Sequence, residues 1–395
     1  MINFDINAIE KAILKESLSG WLFFNFRHRD SISDLALKID KNEPNSRGWF
    51  YLIIPEKENI KIVHSVEPNA LKKYPGKTFI YTSREELKQI LKLFSKMTFA
   101  AQADQNLTQI SFLDSGTASL LHECGIKIVS SASIIQKTIG NLDKEQLLLH
   151  EKAAARLYAI IEESWDYLCK NFKKNKKITE KLIQSFIVER FKKNNLITNS
   201  PPLVAFGKNS ANPHYNTGEN PIFLEKDTII QFDIWAKCLP SDTFEINDKS
   251  VYADISWVGF SGNSCSEKIT KSFNAITGAR DYIIAFIREN IETGKDVSGF
   301  EADAEARNFL FNLGYKNEIK HRTGHAIDMQ LHGYGTNLDS IEFPDKRILS
   351  NGSCFSIEPG LYFNEFGIRT EVNCYIINNS LYVSGGIPQN EILMI

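Results

Sequence analysis

The stretch TIIQFDIWAK, residues 228–237, reads as a central β-strand with an acid in its middle. Asp233 stands between Phe232 and Ile234, where a strand buried on both faces has no use for a charge. The same anomaly recurs at Asp254 in VYADISWVGF, residues 251–260. Glu358 follows an apolar run and precedes a Pro-Gly turn in CFSIEPGLY, residues 354–362. Glu371 lies in GIRTEVNCYII, residues 367–377, where strand parity puts Arg369, Glu371 and Asn373 on one face and Ile368, Thr370, Val372, Cys374 and Ile376 on the other. An isolated buried carboxylate costs several kcal/mol even after the protein relaxes. Any one of these acids, taken singly, has an equally ordinary reading at a strand edge facing water. Four of them need a compensating positive charge, and nearby basic residues are few, so a divalent metal is the economical answer.

The histidines point the same way. His214 sits in NPHYNTG, and His321, His325 and His332 share the segment HRTGHAIDMQLHGYG, residues 321–335. His321 and His325 are four apart and share a face on a helix or a strand, whereas His332 needs a turn or bulge to reach the same cavity. One histidine among carboxylates is an oxygen-dominated donor set, suited to manganese, cobalt, iron or zinc and lacking the thiolates of a structural zinc knot.

Around these strands the pattern is α+β. Helical spacing runs over residues 143–172, Thr179–Phe191, Ser266–Glu292 and Phe300–Leu313, and strands are expected near Pro221–Trp235 and Val251–Phe260. The first third instead alternates short apolar runs with helices, among them one capped by Ser83 and Glu86. That alternation indicates a small α/β domain over residues 1–140, with a larger domain at 141–395. A length of 395 residues also exceeds what one core usually serves.

Composition excludes several classes. A formal net charge of −2 gives no reason to expect nucleic acid or an anionic membrane as partner. No stretch approaches the ~20 apolar residues of a membrane span. The opening residues read as an amphipathic helix and not as a secretory signal. The six cysteines are scattered with no CxxC pair, which leads us to expect reduced thiols and a cytoplasmic protein.

At the residues quoted above, the sequence resembles the pita-bread metallopeptidases: methionine aminopeptidase, aminopeptidase P, prolidase and the related creatinase. The motifs occur in the family's order from about residue 145 to the end, and the preceding α/β domain is similar to that of the two-domain branch. The resemblance implies a catalytic domain of the duplicated ααβ type behind a smaller creatinase-like N-terminal domain. It implies two divalent ions, manganese first with cobalt, zinc and iron as alternatives. Asp233 would chelate one ion, Asp254 and Glu371 would bridge both, and His325 with Glu358 would hold the other. A metal-activated hydroxide would attack the peptide bond preceding proline, with Glu358 as general base and acid. His214 and His332 would contact the substrate and the developing tetrahedral centre, His321 would line the proline side, and Arg369 would orient Glu371. The expected partners are a small proline-containing peptide and a second copy in a homodimer. A binding protein that keeps the fold without catalysis, and a creatinase-like hydrolase of a small non-peptide amide, are the alternatives.

The chain departs from the family pattern in places. The segment Lys237–Val251 is about ten residues longer than in many relatives, and Trp257 stands where arginine is common. Ala326-Ile327-Asp328 replaces Gly-Ile-Gly, and Gly333 replaces a common glutamate. Asp328 is expected to add an uncompensated acid near the site, able to repel a substrate carboxylate or to recognise an amino terminus.

Overall fold

The computed structural model describes residues 5–218, 222–239 and 249–395. The chain separates into two compact units, Met1–Ile139 and Gly140–Ile395. Much of the long connection between Asp233 and Asp254 (residues 240–248) lies outside the described residues, as does the start of the expected strand at Pro221.

The first unit carries helices α1 (Ile6–Lys15), α2 (Ser31–Leu37), α3 (Arg84–Lys92), α4 (Ser115–Glu123) and α5 (Ala132–Ile135). Its strands are β1 (Gly20–Asn25), β2 (Trp49–Ile53), β3 (Ile60–His64), β4 (Lys77–Tyr81), β5 (Thr98–Ala101) and β6 (Lys127–Ser130), in the sheet order β4-β3-β2-β1-β5-β6. Helix-bearing connections precede the parallel pairs β1/β5 and β5/β6, and a helix-free loop links the parallel pair β3/β4. β1/β2, with α2 between them in sequence, and β2/β3, joined by a short turn, are antiparallel. Leu87, Leu91, Leu120 and Leu121 from α3 and α4 seal one core with Phe50, Leu52 and Phe99. Ser83 and Glu86 form the expected capping box of α3.

The second unit is built twice over. Helices α6 (Lys144–Phe172) and α7 (Glu180–Lys193) cover a sheet made of β7 (Leu196–Ile197), β8 (Leu203–Phe206), β9 (Ile229–Cys238), β10 (Tyr252–Phe260) and the late strand β16 (Leu393–Met394). Helices α8 (Glu267–Glu292) and α9 (Gly299–Asn312) lie with β11 (Cys354–Ile357), β12 (Gly360–Tyr362), β13 (Gly367–Arg369), β14 (Val372–Ile377) and β15 (Ser380–Val383). No helix among the described residues is long and apolar enough to cross a membrane.

Parity along β9 and β10 positions everything that follows. Their antiparallel register sets Ser256 opposite Asp233, Ile255 opposite Ile234 and Trp257 opposite Phe232. Phe232, Ile234, Ala236, Ala253 and Ile255 therefore face α6 and α7, where Trp165 stacks on Phe232 at 4.3 Å between ring centroids. Emptying such a stack would cost roughly 3–5 kcal/mol. Asp233, Asp254 and Ser256 point the other way. Trp257 goes with the core face, meeting Tyr158 edge-on at 6.1 Å, so it stands behind the acid-bearing face and takes no place in the site.

The strand expected across residues 367–377 is interrupted. Gly367–Arg369 pairs with β12, while Val372–Ile377 pairs with β11 and β15. At the crossing, Glu371 bridges to Ser256 of the other half of the unit. The fully buried Arg280 of α8 braces the crossing, donating to Thr370 Oγ1 at 3.0 Å and to the Gln389 carbonyl at 2.7 Å.

Candidate metal centre

Three of the expected ligands converge. One ligand atom each of Asp254, His325 and Glu371 lies within 4.8 Å of the other two, and all three residues are buried. Asp254 is held by its main chain: its N–H donates to Asn373 Oδ1 at 2.7 Å and its carbonyl accepts from Asn373 Nδ2 at 2.7 Å. His325 Nδ1 faces the Ala326 carbonyl at 3.1 Å. A carbonyl only accepts, so Nδ1 carries the proton and Nε2 turns a lone pair inward, as in metal-ligating histidines. That Nε2 stands 3.6 Å from Asp254 Oδ2 and 3.7 Å from Glu358 Oε1, beyond hydrogen-bond length from both.

Asp233 and Glu358 flank this group. Asp233 takes an ion pair from Arg369 on Oδ2 and a 2.9 Å contact from Ser256 Oγ on Oδ1. The same hydroxyl lies 3.0 Å from Glu371 Oε2 and accepts from Arg369 Nε at 3.2 Å. Arg369 thus grips Asp233 directly and reaches Glu371 only through Ser256. Gln231 fixes the Arg369 backbone, accepting from its N–H at 2.9 Å and donating to its carbonyl at 3.1 Å.

The residues fit a cation. Asp254 Oδ1 and Glu371 Oε1 are buried without a hydrogen-bond partner among the described residues, a costly condition unless something positive fills the space. Burial holds the Asp254 carboxyl well above its ordinary range, and the Asp233 and Glu358 charges push it further. Burial does the same to Glu371, reinforced by Asp254, Glu358 and Asp233. Burial also lowers the His325 pKa, which keeps its ring neutral and ready to donate a lone pair. Four acids facing one arginine leave an excess of negative charge suited to divalent metal.

The other histidines surround the group. Arg369 Nη1 donates to Tyr362 Oη at 2.7 Å, and Tyr362 Oη lies 2.8 Å from His321 Nε2. His321 Nδ1 meets the Arg322 carbonyl at 2.7 Å and must donate to it. Tyr362 therefore donates to His321, and the relay has one consistent direction. Burial, then the Arg369 charge, push the His321 pKa down to about 3, so the ring is neutral at working pH. With both nitrogens engaged, His321 can offer a ligand only its ring. His332 sets its ring edge-on to His325 at 4.4 Å between centroids. His214 is solvent-exposed and near enough to disfavour positive charge on both His321 and His332.

Asp328 does not act as an uncompensated acid. Its carboxylate accepts from the Gln330 N–H at 2.6 Å and the Tyr334 N–H at 2.8 Å, with Lys237 as a nearby cation. It closes a turn, and a Cβ on Gly333 would come within 2.7 Å of its carboxylate. The two departures from the family pattern are thus one packing solution. The sequence reading missed Ser256, Gln231 and Tyr362. Parity with Asp254 or Asp233 marks the first two, and Tyr362 ends the same motif as Glu358.

The family model for metallopeptidase family M24 matches residues 149–378. An Xaa-Pro dipeptidase of Lactobacillus delbrueckii subsp. lactis is 28% identical over 197 residues, which are 49% of this chain and 47% of that protein. The match therefore spans about half the length of that relative. A prolidase structure from Thermococcus sibiricus superposes with a TM-score of 0.64 at 18% identity, covering 99% of this chain and 98% of that one. The N-terminal domain of the FACT complex subunit SPT16 from Cicer arietinum gives a TM-score of 0.66 at 11% identity, covering 97% of each chain. Likeness at this level of identity establishes the two-part fold. It does not separate a peptidase from a domain of a FACT subunit, so the weight falls on the side chains.

Proposed function

The chain belongs to metallopeptidase family M24, and from that premise we propose that it hydrolyses the peptide bond preceding proline in small peptides, using a pair of divalent ions. The carrying observation is the buried Asp254–His325–Glu371 group with its two unpartnered carboxylate oxygens. In this reading Asp233, Asp254, His325, Glu358 and Glu371 hold the metal, manganese in the first instance. The chemistry divalent cations supply in such a site is Lewis acidity, which brings the ionisation of water towards neutral pH and polarises a carbonyl.

The chain's own groups do the rest. Glu358 is the least buried of the acids around His325, with a side chain 15% exposed. It takes a proton from the attacking water and passes it to the leaving nitrogen. His214 and His332 hydrogen-bond the substrate and the oxygen that gains charge. Arg369 and Ser256 keep Asp233 and Glu371 in place. His321, its nitrogens occupied, presents a flat neutral ring against which a pyrrolidine ring can pack. The similarity to Xaa-Pro dipeptidases supports the same preference.

The test is a panel of X-Pro dipeptides and X-Pro-Y tripeptides, with X-Ala controls, run with manganese, cobalt and zinc. We expect cleavage of proline substrates above the controls and its loss on chelation. Metal-loaded protein that cleaves none of them would overturn the reading.

A further inference from the structure

We infer that Asp303, on helix α9 and outside the group of residues discussed so far, is a positioning residue that sets the distance between His325 and Glu358. The inference rests on the proposed roles of those two residues. Helix α9 buries a stripe of Gly299, Ala302, Asp303, Ala306, Arg307 and Leu310, so a charged pair four residues apart lies on an otherwise apolar inner face. Asp303 is completely buried. Its Oδ1 accepts from the Thr323 N–H at 2.8 Å and the Thr323 hydroxyl at 2.5 Å. Its Oδ2 accepts from Arg307 Nε at 2.7 Å, the Ser340 N–H at 2.8 Å and the Ser340 hydroxyl at 2.6 Å. Arg307 Nη2 in turn donates to the His321 carbonyl at 2.9 Å. The pair therefore holds the chain on both sides of Arg322.

What lies beyond Thr323 gives this grip its meaning. The Thr323 carbonyl accepts from the Glu358 N–H at 2.7 Å, and the His325 carbonyl accepts from the Ser356 N–H at 2.9 Å. The His325 N–H donates to Ser356 Oγ at 3.0 Å. Segment 323–325 thus runs alongside 356–358 like a short stretch of ladder, and its register brings His325 Nε2 and Glu358 Oε1 to 3.7 Å. A slip of one residue along such a ladder would turn side chains to the opposite side, so the pair depends on its register. Asp303 pins it at Thr323. Buried tying of loops is a common structural duty, and the Ser340 bonds perform it. The Thr323 bonds act on the metal-binding pair.

Removing one hydroxyl donor at a time separates the two duties. Thr323→Val and Ser340→Ala each delete one hydrogen bond to Asp303. Mn²⁺ binding to chelator-stripped protein is measured by titration calorimetry, with kcat and KM for an X-Pro dipeptide alongside. We expect Thr323→Val to weaken Mn²⁺ binding about tenfold, the lower end for groups that orient metal ligands, and to lower kcat with little change in KM. Ser340→Ala should leave all three near wild type. Asp303→Asn, checked for folding by circular dichroism, should weaken Mn²⁺ at least as much as Thr323→Val. Equal effects of Thr323→Val and Ser340→Ala, or wild-type Mn²⁺ affinity in folded Asp303→Asn, would sink the inference. If Asp303→Asn does not fold, the hydroxyl pair decides. Wild type that takes up no Mn²⁺ overturns the functional reading and this inference together. Wild type that binds Mn²⁺ beside unaltered variants overturns the inference alone.

Discussion

At Ser256 one buried hydroxyl serves three charged groups, Asp233, Glu371 and Arg369. It has a single proton, and Arg369 already donates to it, so only one of the two acids can receive a hydrogen bond from it. Glu358 is slightly more exposed than Asp233 and Asp254, and the proton-carrying role assigned to it is open to test. Glu358→Gln, which keeps an oxygen for the metal but cannot take up a proton, should lower kcat by roughly 10²–10⁴ at saturating metal, the range for general acid–base groups. Wild-type turnover in that variant would remove Glu358 from the role. Asp328 supplies a pH signature away from the centre. Burial raises its pKa to about 6, against backbone N–H groups that favour the charged form. A carboxyl raised on folding destabilises the native state once ionised. The native state therefore suffers no penalty from it below about pH 4, and the penalty grows as pH rises through about 6. Relative to Asp328→Asn, wild type should lose about 3 kcal/mol of stability between pH 4 and 7. Urea unfolding midpoints of both proteins across that range, giving a difference independent of pH, would refute the assignment.

Among the elements, the ladder of 323–325 on 356–358 has little tolerance. A Cβ at Gly324 would fall 1.9 Å from the Ser356 carbonyl oxygen, a backbone atom with nowhere to go. Gly324→Ala should push the segments apart and weaken metal binding at least tenfold, comparable to losing an orienting group, with calorimetric titration as the check. Elements of this kind mark where the sequence stops being readable. Asp233 and Asp254 stood out from the sequence because an acid in an apolar run has few alternatives. Period-two alternation carried one strand through residues 367–377, because nothing local announces that Arg369 and Val372 answer to different partner strands. Asp303 shares its stripe with Ala302, Ala306 and Leu310 and was open to a helical-period reading. Its importance depends on Thr323, which meets it only after folding. Asp328 was misread for a related reason, since its partners are backbone N–H groups of a turn and carry no residue identity. The Arg369–Asp233 pair joins positions 136 residues apart, beyond any local pattern.

Over the whole molecule, the proposed ligands come from both halves of the second unit. Asp233 and Asp254 stand on β9 and β10, while His325, Glu358 and Glu371 come from the half containing α8, α9 and the later strands. A cation held by all five ties one half to the other and binds the native state alone, stabilising it by about 2.7 kcal/mol at a hundredfold excess over Kd. Hydrogen exchange should therefore slow on adding Mn²⁺ in β9, β10, β14 and segment 323–325. The six-stranded sheet of the first unit should exchange as before. Uniform protection across both units, or none, would contradict a centre placed here. The same distribution has a consequence in time. A growing polypeptide exposes Asp233 and Asp254 well before His325, Glu358 and Glu371 have been made. During that interval two acids stand on a half-built sheet with neither the imidazole nor the two later carboxylates to complete a cage. With that proposed ligand set, capture of the metal would be deferred to a late stage of synthesis, when the second half has docked and finished geometry can choose among competing ions.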